Sequence, residues 1–203
     1  PGGDFSEPVT SHTKEIIQTF WALSKELADA RHYPAIDWLE SFSGYVDAAA
    51  KWWATTIDPR WEAYRNEALK LLADSEELQR IVNLVGVEAL SSEQRWTLET
   101  AGLIKEGLLQ QSAIDEIDSY ASPEKQFLLL QSMLDIHHHG LRLVKLGMPV
   151  RKLLALPVLS AARRWKNRYD ADQLDELRTQ LNELPAIFEH LGADYSPAGE
   201  SGS

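Results

Sequence analysis

The sequence predicts a mainly α-helical chain, a bundle of roughly six to eight helices preceded by an irregular N-terminal lead-in. Three observations predict this fold class. Apolar residues recur at three- and four-residue spacing along most segments, as on the buried face of an amphipathic helix. Ser and Asp stand just before several of these stripes, where helices commonly begin. No period-2 run of β-branched residues is long enough to predict a strand.

The first apolar stripe predicts a helix over residues 11–30, with one apolar face made of Ile16, Ile17, Phe20, Leu23 and Leu27. Pro34 ends this helix, because proline disfavours the α conformation of the residue before it, Tyr33. Residues 34–45 predict an ordered loop, since they combine Pro, Gly and small polar residues with side chains as apolar as Trp38.

Local start signals predict the next helices. Asp58-Pro59 places an N-cap residue before a proline at the first helical position. A further helix begins at Asp74 and ends near Gly86. Three tryptophans in these helix-like segments are interpreted as packing residues, namely Trp52, Trp53 and Trp61.

Two strong caps predict the helices of the second half. Ser91 and Gln94 have capping-box spacing, and the helix that follows runs through Leu108. Ser122-Pro123 caps a long helix that reaches about Lys145.

A last amphipathic helix is predicted over residues 172–191, bent or broken at Pro185. Residues 192–203 predict a disordered tail, because they are rich in Pro, Gly and Ser.

Composition excludes several function classes. The formal net charge of −11 disfavours non-specific binding to nucleic acid or anionic lipid. No run approaches 18 apolar residues, so the sequence predicts no direct membrane insertion. A secretory signal is not predicted either, because no basic segment precedes an apolar stretch. With no Cys, disulfides and cysteine-based zinc sites are excluded. The basic cluster at residues 163–168 is interpreted as a solvated helix end.

Motifs for chemistry are few. Neither GxxxxGK[ST] nor GxGxxG occurs, and Gly2-Gly3 is followed by Asp4, which would repel phosphate. Two carboxylate pairs, Asp4 with Glu7 and Asp37 with Glu40, have no neighbouring base or metal site that would make them a hydrolase centre. No GxSxG nucleophile elbow is present.

A metal site is one alternative. Three consecutive histidines at 137–139 point about 100° apart on a helix and cannot converge on one ion. Asp135 and His139 have i, i+4 spacing, so a two-ligand site and a metallohydrolase centred on it stay open as a hypothesis.

Four stretches, in this order along the chain, resemble the catalytic A subunit of V-type and A-type rotary ATPases. They are PGGDFSEPVT at 1–10, FWAL with RHYPAIDWLESFSGY at 20–23 and 31–45, LVGVEALSSE at 84–93 and LQQSAIDEIDSY at 109–120. The resemblance implies a subunit that couples ATP hydrolysis or synthesis to transmembrane proton or sodium transport. It also implies that residues 1–44 end an α/β nucleotide-binding domain and that residues 45–191 form a C-terminal helical domain.

The resemblance implies two kinds of site residue and no catalytic residue or metal ligand in this chain. Tyr33 and Pro34 match one wall of the adenine pocket, and Gln111, Ala113 and Ile114 match the other. The family usually has Phe where Ile114 stands, which removes a stacking partner. The rotor contact is implied for Asp4, Phe5, Ser6, Glu7, Glu88, Leu90 and Glu93.

The implied cofactor is ATP or ADP with Mg²⁺ in the intact subunit, none of it bound tightly by this chain alone. The implied partners are the B subunits of the same ring and the central stalk, at a cytoplasmic location that is peripheral on the membrane through the complex. A different class of function, a stand-alone helical adaptor without ATPase activity, stays open. The reading frame upstream of Pro1 discriminates the two.

Overall fold

The computed structural model describes residues 17–195. The chain divides after Glu62 into two compact units, and each unit is described by itself. The sequence-based domain boundary between residues 44 and 45 stays a prediction. Asp4, Phe5, Ser6 and Glu7 of the expected rotor contact lie outside the described residues.

The N-terminal unit contains a two-stranded antiparallel sheet. Strand β1 spans Thr19–Leu23, helix α1 Lys25–Asp29 and strand β2 Ile36–Ser43. Phe20 pairs with Phe42, and an irregularity follows before Ala22 pairs with Asp37.

The helix predicted over 11–30 is therefore wrong for β1, and the loop predicted over 34–45 is wrong for β2. The expectation that the chain has no strand fails with them. The apolar spacing of this segment fits a helix by coincidence. Along β1 the side chains alternate as in a paired strand, with Ala22 buried and Trp21 and Leu23 exposed.

Helix α2 spans Val46–Thr56. Its Trp53 ring stacks on Trp61 with 5.0 Å between centroids and 9° between planes, which confirms a packing role for these two tryptophans. Trp52 is 48% exposed and meets the edge of Trp53.

The long helix α3 spans Trp61–Val85 without interruption. The helix start predicted at Asp74 is wrong, because Asp74 and the serine that follows it lie inside this continuous helix. Ser75 is fully buried and its hydroxyl donates to the Leu72 carbonyl at 2.7 Å instead of capping a new helix. The predicted start at Asp58-Pro59 comes two residues early, since the Asp58 carbonyl accepts from the Trp61 amide just before the helix.

Two helices make the centre of the C-terminal unit. Helix α4 spans Ser92–Ile104 and continues into a π-helical turn at Lys105–Leu109, and helix α5 spans Pro123–Lys145. The predicted capping box at Ser91 and the predicted cap at Ser122 are both confirmed by their hydrogen bonds.

Glycine is required where α4 and α5 approach each other. Trp96 is fully buried, and its indole nitrogen donates to the His137 carbonyl at 2.9 Å. A Cβ at Gly140 would lie 2.1 Å from the Trp96 ring, so any side chain there would force the two helices apart.

Three short helices connect this pair to a last long one. They are α6 at Val150–Leu154, α7 at Pro157–Ala162 and α8 at Trp165–Arg168. Helix α9 spans Leu174–Gly192 and packs on α5 through the predicted stripe, which consists of Leu174, Leu177, Leu181 and Leu184.

Helix α9 continues through Pro185 without a break. A 3₁₀ turn at Ala193–Tyr195 follows, so residues 192–195 of the predicted tail have helical structure. Residues 196–203 lie outside the part of the chain that the structure describes. The fold is mainly α, as predicted. Between residues 17 and 195, no helix combines the length and the apolar character that crossing a membrane requires.

Candidate functional site

Tyr33 and Pro34 lie in the turn between α1 and β2. The turn is fixed by backbone hydrogen bonds, with the Ser24 amide donating to the Ala35 carbonyl at 2.9 Å. The neighbouring His32 is buried and meets the edge of Trp38 at 5.6 Å, whereas Tyr33 is 54% exposed. This turn therefore holds an aromatic ring at the surface above a packed base.

The other predicted pocket residues lie on an irregular loop at residues 110–122, between the π-helical turn and α5. Ile114 is 97% exposed, and Ala113 beside it is exposed as well. Gln111 has a structural contact, because its side-chain amide donates to the Asp118 carbonyl at 2.8 Å. The apolar tip of the loop is thus exposed to solvent, while hydrogen bonds join the two sides of its base.

The base of this loop is organised by a buried ion pair. Asp118 is 3% exposed, and its Oδ2 accepts from the Ser112 amide at 2.7 Å and from Lys166 Nζ at 3.0 Å. Lys166 Nζ also donates to the Gln110 carbonyl. Two charged side chains that lie 48 residues apart therefore join the beginning of the loop to its end.

Asp115 adds a second set of bonds within the loop. Its Oδ1 accepts from the amides of Ile117 and Asp118 at 3.0 and 2.8 Å, and its Oδ2 accepts from Asn167 Nδ2 at 3.1 Å. The pKa of Asp115 is lowered, first by the Asp118 amide and then by the Asn167 amide, because these donors stabilise the carboxylate.

Lys125 closes the loop at the start of α5. Its side chain is almost completely buried, with Nζ 3.3 Å from the Ile117 carbonyl that accepts from it. Burial lowers the pKa of Lys125, and the carboxylates of Asp118, Asp170 and Asp115 act in the opposite direction.

The interpretation of the basic cluster at 163–168 as a solvated helix end is wrong for Arg163 and Lys166. Trp165 and Lys166 are buried, and Arg163 pairs with Glu99 at 2.5 Å and with Glu106 at 2.7 Å. Only Lys166 of the cluster places its charge in the interior of the unit, whereas Arg163 is partly buried beside carboxylates from distant segments and Arg164 and Arg168 are exposed.

The tip between α3 and α4, residues 85–91, carries the other predicted contact residues. Gly86 has a positive φ of 88°, and a 3₁₀ turn follows. Glu88 and Glu93 are exposed, whereas Leu90 is 5% exposed and belongs to the core of the unit. Glu88 is paired with Arg95 at 2.8 Å.

Three large apolar side chains are exposed at the end of α3 and in this tip. Leu84 is 83% exposed, Val85 66% and Val87 43%. None of the three is among the contact residues predicted from the sequence. The signal available in the sequence is that they are apolar residues at the end of a helix whose buried face is made of other apolar residues.

The three histidines of the alternative metal site contact other side chains. His137 Nδ1 lies 2.8 Å from Thr100 Oγ1, His138 Nε2 lies 2.5 Å from Glu67 Oε1, and the His139 ring stacks on Phe188. Within residues 17–195, no group of three or more metal-ligating side chains is assembled. Burial lowers the pKa of His137 from 6.5 to about 4.

The carboxylate pair of the N-terminal unit has a local role. Asp37 Oδ1 accepts from the amides of Leu39 and Glu40 at 2.8 and 2.9 Å, so this carboxylate is engaged in fixing the backbone of β2.

Comparison with known proteins gives the class. A model of the C-terminal domain of V and A type ATP synthase matches residues 50–152, and a model of the nucleotide-binding domain of the ATP synthase alpha/beta family matches residues 1–43. The chain therefore belongs to the family of V- and A-type ATP synthases, of which it contains the C-terminal domain and the end of the nucleotide-binding domain. The resemblance to the catalytic chain of these enzymes, first indicated by four short stretches, is confirmed.

The relatives are chains of this kind. The V-type ATP synthase alpha chain of Nitrosococcus oceani is 60% identical over 98% of this chain and 34% of its own length. The A subunit of the A-type ATP synthase of Ignicoccus hospitalis is 45% identical over 97% of this chain and 33% of its own length. The chain spans about a third of the length of these relatives.

A solved structure of an ATP synthase subunit is similar over part of the chain. The ATP synthase subunit NeqB from Nanoarcheaum equitans is 27% identical, with a TM-score of 0.55, over 68% of this chain and 32% of that one.

Proposed function

We propose that this chain is part of a catalytic A subunit that couples ATP hydrolysis or synthesis to the transport of protons or sodium ions across a membrane. Its own contribution is one part of the adenine pocket and one contact with the rotor. The observation that carries the proposal is Ile114, an apolar side chain that is 97% exposed on a loop fixed by buried charges, in a chain of the ATP synthase family.

The adenine ring offers two flat faces that stack on aromatic rings and pack on apolar side chains. Stacking a base on an aromatic side chain contributes roughly 1–3 kcal/mol. Tyr33 supplies such a ring, and Ala113 and Ile114 supply an apolar surface on the second wall. Because Ile114 is not aromatic, this second wall acts by van der Waals contact.

The tip between α3 and α4 supplies the rotor contact. Its exposed side chains are mainly apolar, and the carboxylate of Glu88 is already paired with Arg95. Exposed ion pairs contribute at most about 1 kcal/mol. Contact with the central stalk therefore depends on the packing of Leu84, Val85 and Val87 more than on charge, while Glu93 adds a carboxylate at the edge.

The remaining parts of the machine belong to the rest of the subunit, upstream of this chain, together with its partners. ATP or ADP with Mg²⁺ binds there, B subunits alternate with it in a ring, and the complex holds it at the cytoplasmic face of the membrane. The isolated chain is expected neither to bind ATP tightly nor to hydrolyse it. Magnesium-dependent phosphate release by the purified chain, above a heat-inactivated control, would contradict this.

The adenine assignment is tested in the assembled complex with Tyr33→Ala and Ile114→Ser. Each change is expected to raise the KM for ATP by about tenfold and to leave kcat within a factor of about two, since the lost contacts bind the nucleotide and do not touch the reacting phosphate. Leu154→Ser, which alters an aliphatic side chain that is 42% exposed and belongs to neither wall, is the control. An unchanged KM in both test variants would refute the assignment.

A further inference from the structure

The tip of the loop at 110–122, which consists of Ala113 and Ile114, is not fixed by burial of its own side chains. Its backbone is irregular, so the regular hydrogen bonds of a helix do not fix it. Its tip residues, Ala113 and Ile114, are exposed and make no packing contribution of the kind a core residue makes. The conformation of the tip therefore depends on the bonds at the base of the loop.

Lys166 makes two of the hydrogen bonds that connect the two sides of this base. Its ammonium group donates to the carbonyl of Gln110 on one side and to the carboxylate of Asp118 on the other. The same carboxylate accepts from the amide of Ser112. One ion pair thus fixes the three residues that flank the tip, and it does so from α8, outside the loop.

Burial of this pair indicates a role beyond stability. The side chains of Lys166 and Asp118 are 9% and 5% exposed. Two apolar residues of similar size often stabilise an interior as well as a buried ion pair does, because removing charges from water is unfavourable. What an ion pair adds is directional hydrogen bonds to defined backbone atoms, which here are the atoms that set the path of the loop.

We propose that Lys166 is a positioning residue for the nucleotide: through Asp118 and Gln110 it holds the loop so that Ala113 and Ile114 face the adenine ring. This inference rests on the proposed function, which places the tip at the adenine pocket. Lys166 itself touches no nucleotide and acts only through the loop.

The first arm of the test uses the 203-residue chain and hydrogen exchange. Lys166→Met is expected to speed exchange of the Ser112 amide by about tenfold, because the Asp118 carboxylate that accepts from this amide loses the cation that holds it, while amides of α4 change little. Arg163→Met is the control, since it removes a neighbouring, partly buried cation whose two carboxylate partners lie outside the loop.

The second arm measures ATP kinetics in the assembled complex. Lys166→Met is expected to raise the KM for ATP by about fivefold and to leave kcat within a factor of about two, whereas Arg163→Met leaves both unchanged. The double variant Lys166→Met with Asp118→Asn leaves no unpaired carboxylate at position 118, and Lys125 keeps Asp170 and Asp115 as counter-charges, so this variant is expected to fold even where the single variant does not. Its KM is expected to stay raised.

Three results would overturn the inference. Unchanged loop exchange in the double variant would show that Lys166 does not hold the loop. Faster exchange with a wild-type KM in the double variant, while Ile114→Ser raises the KM, would restrict Lys166 to stability and leave the proposed function standing. Faster exchange with a wild-type KM in both would refute the inference together with the adenine assignment.

Discussion

The tip between α3 and α4 and the loop between α4 and α5 lie at opposite ends of the same helix, and they are fixed in opposite ways. The tip, residues 85–91, keeps its charges at the surface, with Glu88 exposed and Ser91 capping the helix that follows. The loop, residues 110–122, keeps its charges inside, with Asp118 and Lys166 both buried.

This contrast determines where each region is vulnerable. The tip is held by residues next to it in sequence, so its exposed apolar surface can change without disturbing its backbone. The loop is held by Lys166, whose partner Asp118 is 48 residues away, so its shape depends on α8. The proposed roles fit this contrast, because a rotor contact needs exposed packing residues, whereas a wall of the adenine pocket needs a defined position.

The greatest loss of stability is expected from breaking the ion pair of the loop. Lys166→Met leaves the Asp118 carboxylate buried without its cation, which is expected to lower the free energy of unfolding by about 3–5 kcal/mol. Urea denaturation followed by circular dichroism measures it. A loss below about 1 kcal/mol would mean that the pair is effectively solvated and would remove the contrast with the tip.

Acid acts on the core that both regions share. Burial lowers the pKa of His137 from 6.5 to about 4, with His138 and Lys145 acting in the same direction and Glu67 against it. A histidine whose pKa is lowered on folding binds fewer protons in the native state, so stability is full above about pH 6.5 and is lost as the pH falls towards 4.

The expected loss over that range is about 3 kcal/mol. Urea denaturation at pH 7 and pH 4.5 measures most of it, and His137→Gln is expected to flatten the dependence, with the exposed His138→Gln as control. Asp115, whose pKa is lowered, stays ionised at pH 4.5, so the loop should loosen no more than the tip. An equally steep dependence in His137→Gln would assign the effect to other groups.

A smaller effect is expected at the cap that fixes the tip. Ser91 Oγ accepts from the Gln94 amide at 3.2 Å, and Gln94 Oε1 accepts from the Ser91 amide at 2.9 Å. Ser91→Ala is expected to lower the free energy of unfolding by about 1 kcal/mol, and the neighbouring Ser92→Ala by much less. Equal losses in the two variants, measured by thermal denaturation, would show that the box does not act as a cap.

The surface pair of the tip is expected to contribute less again. Arg95→Met removes the partner of Glu88, whose side chain is 85% exposed, and should cost less than about 1 kcal/mol. The comparison with Lys166→Met is direct, since both variants replace a paired cation with methionine. A cost at Arg95 as large as that at Lys166 would contradict the difference between the two regions.

The least change in stability is expected from the apolar surface itself. Leu84→Ser together with Val85→Ser should change the free energy of unfolding by less than about 0.5 kcal/mol, because both side chains are largely exposed. In the assembled complex the same variant should reduce ion pumping per ATP hydrolysed, which a vesicle assay measures. Unchanged pumping would place the rotor contact elsewhere.

The sequence predicted these regions to different degrees for a physical reason. The caps at Ser91 and Ser122 are local chemistry, so a few neighbouring residues were enough to place them. Strands β1 and β2 depend on pairing between segments far apart in sequence, and apolar spacing alone indicated a helix and a loop instead. The helix start predicted at Asp74 is also wrong, because the buried hydroxyl of Ser75 donates to a carbonyl inside a continuous helix and does not cap a new one.

The candidate site shows the same division. Tyr33, Ala113 and Ile114 lie in exposed turns, and their role at the adenine ring stays a proposal. The buried pair of Asp118 and Lys166 has no local signal, and the basic cluster looked like an ordinary solvated helix end. Pairing between distant segments, of charges here and of strands in the N-terminal unit, is what the sequence alone does not reveal.

Photolabelling of the assembled complex with 2-azido-ATP, followed by mass spectrometry of the modified peptides, tests the adenine assignment at its centre. The azido group sits on the adenine ring, so it reports the walls of the adenine pocket and not the phosphate site. We expect label on the peptide that contains Tyr33 or on the one that contains Ile114, lost when excess ATP competes. Competable label on other parts of the complex, with none on these two peptides, would contradict the assignment.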